Sequence, residues 1–251
     1  MRWLILALLC SFSVANAEDE AQRIAFSEGR YHEAILLSAT QPSADNLAFS
    51  ARSLLAEAVS DGQFMPPTHL LDEAASKARE AITLDPKHVE ARLQLAIALS
   101  LKARPLSNRE AMRTGYGDEA RELVEATLQD DPDNAYAHGF LAVWHLEVRR
   151  RGGAIGGSIM GASVNKARRH YHAAILSAPE DASIHWQYAR ALTALNAKRY
   201  REEIMISLDA ALDCQSETLL EDVMQRRATT LRAELETKGW KRAEKIAALM
   251  L

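Results

Sequence analysis

The segment RRRGGAIGGSIMGAS (Arg149 to Ser163) is the part of the chain that most resembles a catalytic motif. A nucleotide-binding P-loop has the pattern G-x-x-x-x-G-K-[ST] after a buried strand, because backbone amides wrap the phosphates while lysine neutralises them. Gly152 and Gly157 have the required separation, but Ser158 stands where the lysine is needed. An arginine-rich helix end also precedes the glycines instead of a strand. The pattern therefore favours a flexible connector between helices, with Ser163 as the N-cap of the next helix.

Histidines form the second cluster with residue types that can do chemistry. His138 and His145 lie seven residues apart on one predicted helix, and His170 and His172 follow on the next helix. Such a set can share a metal ion, but no compact ligand motif surrounds it. Packing histidines are the favoured interpretation. The sequence supports no catalytic residue, no cofactor and no metal site, and Cys214 has no neighbour that would activate its thiol.

The N-terminus has the order of a secretory signal peptide. Arg2 precedes the apolar run from Trp3 to Val14, and the sequence Ala15-Asn16-Ala17 stands before an acidic segment. We expect cleavage after Ala17, so residues 1–17 are removed and the mature protein is periplasmic. The apolar run is too short for a membrane span, which needs about 20 residues, and the mature chain has no other transmembrane segment. Anchoring of a lipoprotein through Cys10 is disfavoured, since Leu9 occupies the preceding position, where a small residue is expected.

The composition limits the kinds of partner, the disulfide bonds and the secondary structure that the chain can have. The chain has 30 basic and 34 acidic residues, and loss of Arg2 leaves 29 against 34, a net charge of about −5. This balance gives no support for nucleic acid as a partner. Cys214 is the single cysteine left after cleavage, so no intrachain disulfide can form. Alanine and leucine supply most apolar positions, which indicates closely packed helices.

A repeat runs through the middle of the chain. Three segments that begin at Ala74, Ala120 and Ala167 align without gaps, each with a proline twelve residues later and another alanine ten residues beyond that proline. The prolines are Pro86, Pro132 and Pro179, and the later alanines are Ala96, Ala142 and Ala189. Apolar residues recur at helical intervals on both sides of each proline, and proline suits the first turn of a new helix. Each segment is predicted to be a helix, a tight turn and a second helix.

These alanines and prolines match the signature of the tetratricopeptide repeat (TPR) family, which the chain resembles. The resemblance implies an all-α, TPR-like right-handed α-solenoid of helix-turn-helix repeats. We expect repeat units at about 18–42, 44–86, 88–132, 134–179 and 181–216, a C-terminal helix at 217–236, and a basic amphipathic tail at 238–251 that caps the array, with Trp240, Ile246 and Leu249 as its packing residues.

Two of the units depart from the family pattern by about twelve extra residues between their helices. The additions are Ala103 to Gly117 and Arg151 to Ser163, with a shorter counterpart from Asp61 to Pro67. Because repeats stack in register, these segments should emerge side by side as loops on one edge. One hypothesis is that arginines on this edge bind an anionic group; the alternative is solvation and compensation of helix dipoles. The arginines are Arg104, Arg109, Arg113, Arg149, Arg150 and Arg151.

The family resemblance also implies a concave groove that faces bound peptide. Its predicted partner-binding residues are mostly apolar: Leu93, Tyr136, Val143, Trp186 and Arg190. The groove lacks the lysine and asparagine pair with which chaperone-binding members hold a C-terminal carboxylate. An equally favoured alternative is that the chain's own helix from Glu217 to Glu236 fills this groove.

Together these features predict an exported, noncatalytic scaffold or adaptor that binds a protein or peptide partner. The extended connectors also resemble, in layout, bacterial relatives of regulators of microtubule dynamics and the periplasmic repeat component of some tripartite solute transporters. The alternative function is therefore a carrier of a small anionic ligand, and enzyme activity ranks third. Self-association into a homo-oligomer is left open.

Overall fold

A computed structural model describes residues 19–41, 43–60 and 64–251. The predicted signal peptide (residues 1–17) and Cys10 lie outside the described residues. Within them the chain forms helices and no strands. The helices are α1 (described over 19–27), α2 (Tyr31–Ser38), α3 (Ala44–Ser60), α4 (Thr68–Leu84), α5 (Val89–Ala103), α6 (Asn108–Thr114), α7 (Tyr116–Asp130), α8 (Ala135–Ile159), α9 (Val164–Ser177), α10 (Ala182–Asn196), α11 (Arg201–Asp213), α12 (Leu219–Thr237) and α13 (Trp240–Leu249).

The repeat alanines lie at the contacts between neighbouring helices. Ala96 and Ala189 are fully buried, and Ala142 is only 1% exposed. The alanines that begin the three aligned segments are also fully buried: Ala74, Ala120 and Ala167. A methyl side chain lets two helix backbones approach closely, which confirms the predicted all-helical repeat solenoid.

Each repeat turn is closed by a side chain from the helix that follows it. The donor stands six residues after the turn proline and bonds the carbonyl oxygen of that proline: Arg92 to Pro86 at 3.0 Å, His138 to Pro132 at 3.0 Å and His185 to Pro179 at 2.9 Å. A helix end leaves backbone groups without intrahelical partners. This recurring geometry therefore gives two of the histidines a structural role within the repeat.

The two additions are more helical than a loop prediction allows. The first contains α6, which begins with a capping box between Ser107 and Glu110. In the second, α8 continues through the arginines to Ile159, with one break at Gly153, where φ is 63° and ψ is −152°. The prediction of a loop from Arg151 onward is wrong in this respect, because the segment is helical on both sides of a kink at Gly153. Ser163 does cap α9, as predicted, by accepting from the Lys166 amide.

The additions also contact each other, as the stacking of repeats requires. Nε of Arg151 donates to the side-chain oxygen of Asn108 at 3.2 Å, and the Asn108 amide donates to the Arg151 carbonyl at 3.0 Å. A further bond joins Nη1 of Arg151 to the carbonyl oxygen of Ala103 at 3.1 Å. One arginine thus fixes α8, just before its break at Gly153, against the end of α5.

Helix α12 contacts the turn between α1 and α2 and the end of α3, and this contact closes the array. Leu219, at the start of α12, packs against Gly29 in the turn between α1 and α2, where a Cβ atom on the glycine would lie 2.1 Å from Cδ2 of Leu219. Arg227 of α12 donates to the carbonyl oxygen of Val59 near the end of α3. Helix α13 then lies against α10. Among the helices of the described ranges, none is both long enough and apolar enough to cross a membrane.

Candidate functional site

The concave groove of the array holds the last helix of the chain itself. Ala243 and Ala247 of α13 are fully buried, and Met250 and Leu251, which follow the helix, are buried as well. Trp240 and Ile246 pack at the margin of the same cluster, whereas Leu249 is 55% exposed. The tail therefore packs along α10 with the methyl groups of Ala243 and Ala247 and with the side chains of Met250 and Leu251.

Four groove side chains donate hydrogen bonds to the main chain at the end of α13. Nη1 of Arg190 bonds the Ala247 oxygen at 3.2 Å, and Nη2 of Arg104 bonds the oxygens of Ala248 and Met250 at 3.1 and 2.6 Å. The main-chain oxygen of Leu251 accepts from Trp186 Nε1 at 3.1 Å and from Arg227 Nη1 at 3.0 Å. The last turn of a helix leaves its carbonyl oxygens unpaired. The groove supplies the donors that these oxygens lack.

A charge cluster of one buried side chain, Arg190, and two partly exposed ones, Glu147 and Arg150, supports these donors. Glu147 of α8 accepts from Nη1 of Arg190 at 3.1 Å and from Nε of Arg150 at 2.7 Å. Burial would raise the pKa of Glu147, but the charges of Arg190, Arg150 and Arg104 outweigh it and lower the pKa to about 2. Burial, with the neighbouring charge of Arg190, lowers the pKa of Arg104 to about 9. Glu147 is therefore ionised and holds Arg190 in position for the tail.

The five predicted groove residues have different surroundings. Trp186 and Arg190 are 0% and 2% exposed and face the tail, as described above. Leu93 is buried in the core between α3, α4 and α5, and Val143 packs at the edge of the C-terminal core. Tyr136 is 55% exposed. That these residues bind a partner stays a prediction. Of the five, Tyr136 presents the most surface to one.

The predicted filler of the groove, the helix from Glu217 to Glu236, has another place. It corresponds to α12, which packs on α10 and α11 and closes the array. The shorter α13 occupies the groove instead. The reason is geometric, since Ala243 and Ala247 give α13 a face narrow enough to approach α10 closely, whereas the inner face of α12 carries Met224, Leu231 and Leu235.

The six arginines predicted at one edge do not gather at a single surface. Arg104 and Arg150 turn inward to the groove cluster. Arg151 fixes the two additions to each other, and Nη1 of Arg149 donates to the Gly153 oxygen at 2.9 Å. The remaining two, Arg109 and Arg113, are exposed. Four of the six therefore satisfy main-chain oxygens or a carboxylate, because helix ends present acceptors within reach of a long side chain. Anion binding by this edge stays a prediction.

Sequence reasoning missed two features of the site, the role of Arg227 and the insertion of the tail. A signal for the second was present: Ala243 and Ala247 are four residues apart on an amphipathic segment that ends in Met250 and Leu251. Small residues at that spacing mark a helix face made for close contact.

A cleft of about 520 Å³ lies at the junction of α8, α9 and α11. Three arginines line it, of which Arg168 is paired with Glu203 at 2.8 Å. Arg199 stacks on the Tyr200 ring, 5.4 Å from its centroid. The other lining groups include Arg149 and the N-terminus of α9. The cleft is therefore cationic and polar.

The histidines form a packed cluster with one defined tautomer. Nε2 of His138 faces the Pro132 oxygen, so it carries the proton and Nδ1 accepts from Nδ1 of His170 at 2.9 Å. Burial, with the nearby His170, lowers the pKa of His145 to about 4; burial, with the nearby His138, lowers that of His170 to about 4. Across the described part of the chain, no group of three His, Cys, Asp or Glu side chains is arranged to hold a metal ion.

Comparisons with known proteins bear on the fold. The crystal structure of TTC0263, a thermophilic TPR protein from Thermus thermophilus, superposes with a TM-score of 0.53 at 17% sequence identity, covering 91% of this chain and 97% of that one. The solenoid is thus similar to a TPR protein over nearly its whole length. No protein-family model matches the sequence, and a search of curated proteins finds no match.

Proposed function

We propose that this protein is an exported, noncatalytic scaffold that binds a protein or peptide partner through its concave groove and the neighbouring edge of additions. The observation that carries the proposal is the way the groove holds α13. Trp186, Arg190, Arg104 and Arg227 give their donors to main-chain oxygens, and Leu251 is enclosed beside them. A groove that satisfies the main chain of one peptide segment has the chemistry of a peptide-binding surface.

Site-specific photo-crosslinking tests the groove. A photoreactive residue at Tyr136, which is exposed on α8, should capture a defined partner at stoichiometric yield. The matched control places the same residue at Leu176, which is 84% exposed on α9, the second helix of the same unit. Equal capture at both positions, or capture at Leu176 alone, would contradict binding through the groove.

The export part of the proposal rests on the N-terminal sequence. The mass of the mature protein from a periplasmic fraction should correspond to a chain that begins at Glu18. Recovery of the uncleaved chain from the cytoplasm would overturn this part without affecting the groove.

The cationic cleft between α8, α9 and α11 favours a second candidate, a carrier of a small anionic ligand. Arg149, Arg168 and Arg199 line one space, and Glu203 pairs with Arg168 among them. A carrier should show a thermal shift with di- or tricarboxylates that Arg199→Gln abolishes. Unchanged melting across such anions would remove this candidate.

A further inference from the structure

The five hydrogen bonds that Arg104, Trp186, Arg190 and Arg227 make to the end of α13 all go to main-chain oxygens. The two residues of α13 that are fully buried, Ala243 and Ala247, contribute only methyl groups. The site therefore suits a helix that ends in the groove with small residues four apart on its buried face and with apolar side chains where Met250 and Leu251 are buried.

The charge of the groove favours an occupant with a negative end. Three guanidinium groups, those of Arg104, Arg190 and Arg227, face the end of α13, and of these Arg190 is paired with Glu147. Carbonyl oxygens at a helix C-terminus carry the negative end of the helix dipole. A formal negative charge at the same end would complement the remaining positive charge further.

A cavity continues the groove beyond the tail. It has a volume of about 330 Å³ and borders Met250 and Leu251. Its walls carry two arginines, Arg226 and Arg227, together with Ser60, Thr230, Phe64 and Val223. Within the described ranges Arg226 forms no ion pair. A helix end one or two residues longer than α13 would reach this cavity, and an acidic side chain there would meet Arg226.

The connection between α12 and α13 lets the occupant leave as a unit. Helix α12 ends at Thr237, and α13 begins at Trp240. Gly239 between them has φ of 86° and no heavy atom near the position that a Cβ would take. Rotation at this glycine would release α13 and leave α10 and α12 in place.

From these features we infer that the groove is a receptor for the C-terminal end of a partner protein's helix, and that α13 is a resident occupant which that helix replaces. The partner helix has small residues on its buried face and an acidic residue after its last apolar residue. This inference rests on the proposed function, because it specifies which peptide the scaffold binds. The tether holds α13 at an effective concentration of order millimolar, so the partner helix must bind the groove more tightly than the resident, and the acidic contact contributes part of that difference.

Fluorescein-labelled peptides with amidated C-termini test the inference on the full chain. The first peptide repeats residues 238–251, the second adds Asp-Glu after Leu251, and the third adds Asn-Gln as the neutral control. We expect the Asp-Glu peptide to bind about threefold more tightly than the Asn-Gln peptide, because the ion pair with the exposed Arg226 is a surface pair. The matched protein variant, Arg226→Gln, loses a charge without losing a native ion pair and should abolish that difference. Equal affinity for the charged and neutral peptides, or no binding of any peptide, would overturn the inference.

Hydrogen exchange locates the peptide on the unaltered protein. Amides of residues 240–251 should exchange faster when the Asp-Glu peptide is bound, because the peptide takes the place of α13. Binding that leaves their exchange unchanged would place the peptide elsewhere and overturn the inference. Native mass spectrometry that shows a dimer with exchanged tails would assign a second copy as the occupant and overturn it too.

A full-chain Ala247→Asp variant weakens the resident helix without altering a groove donor. It should bind all three peptides more tightly than the wild-type protein, and circular dichroism would verify that its helices persist. If that variant does not fold, the wild-type exchange experiment decides the question. If a partner is captured at Tyr136 but the amides of α13 stay protected from hydrogen exchange when that partner is bound, the displacement of α13 is refuted. The proposed scaffold function would still stand in that case.

Discussion

The indole Nε1 of Trp186 donates a hydrogen bond to the main-chain oxygen of Leu251 over 3.1 Å, which joins residues 65 positions apart in the sequence. Trp186 is fully buried and Leu251 is 3% exposed. This bond fixes the end of the chain at the centre of the groove.

Replacement of Trp186 by phenylalanine should remove that bond while keeping most of the aromatic packing. We expect the free energy of unfolding to fall by about 1–3 kcal/mol, since a buried acceptor loses a donor, and the amides of 240–251 to exchange faster. Trp144→Phe is the control, because its indole donates to the Gly117 oxygen at the same 3.1 Å distance from a place outside the groove. Faster exchange of the tail in both variants would contradict a specific role for Trp186.

Replacement of Arg190 by methionine should destabilise the protein by about 2 kcal/mol in urea unfolding, because Glu147 would lose its buried partner and keep only Arg150. The double variant Arg190→Met, Glu147→Gln should recover part of that loss. Arg232→Met, which breaks the more exposed pair with Asp209, is the control and should cost about 1 kcal/mol or less. Similar losses in Arg190→Met and Arg232→Met would show that the charge cluster around Arg190 contributes no more than a surface pair.

Alanine substitutions at Gly29 and Gly115 distinguish the stability cost of backbone strain from the cost of a steric clash. Both have positive φ, 77° and 69°, but a Cβ on Gly29 meets Leu219 whereas one on Gly115 meets no heavy atom within 4 Å. We expect Gly115→Ala to cost about 1 kcal/mol from strain alone, and Gly29→Ala to cost at least about 1 kcal/mol more. Leu219→Ala should rescue part of the Gly29→Ala loss. Equal thermal melting of the two glycine variants would argue against closure of the array by α12.

The repeat and its packing followed from the sequence, whereas the content of the groove did not. Alanines at fixed offsets predict close helix contacts because spacing within one helix pair is local information. The Arg104 bond to Met250 spans 146 residues. The spacing of Ala243 and Ala247 marks a helix face suited to close contact, but it does not say which distant helix that face meets. Both α12 and α13 are amphipathic, and which of them enters the groove depends on the three-dimensional position at which α12 closes the array.

The glycine-rich addition was misjudged for a different reason. Glycine lowers helix propensity by about 1 kcal/mol per residue, which favours a loop from sequence alone. Here the Arg149 side chain lies across Gly157, where a Cβ would be 2.4 Å from its Cδ atom. A glycine at this position permits the close approach of the arginine across the kink in α8.

Because burial lowers the pKa values of two histidines, we expect the free energy of unfolding to decrease in acid. His145 and His170 have pKa values of about 4 in the folded protein and about 6.5 when unfolded. Between these values the unfolded chain binds more protons, so the free energy of unfolding should decrease as pH falls from about 6.5 to about 4 and this contribution should level off below that. His145→Phe should reduce the decrease by about 1–2 kcal/mol after allowance for partial solvent access. Parallel pH profiles for the wild-type protein and the variant would contradict this assignment.

Hydrogen exchange of the wild-type chain, resolved to residues 240–251, tests most directly whether the groove holds the chain's own tail. The contacts of Arg104, Arg190, Arg227 and Trp186 predict that these amides exchange at least about a hundredfold more slowly than in an unstructured peptide of the same sequence. Exchange of this segment at the rate of the free peptide, with α10 still protected, would show that the tail lies outside the groove and would contradict the account.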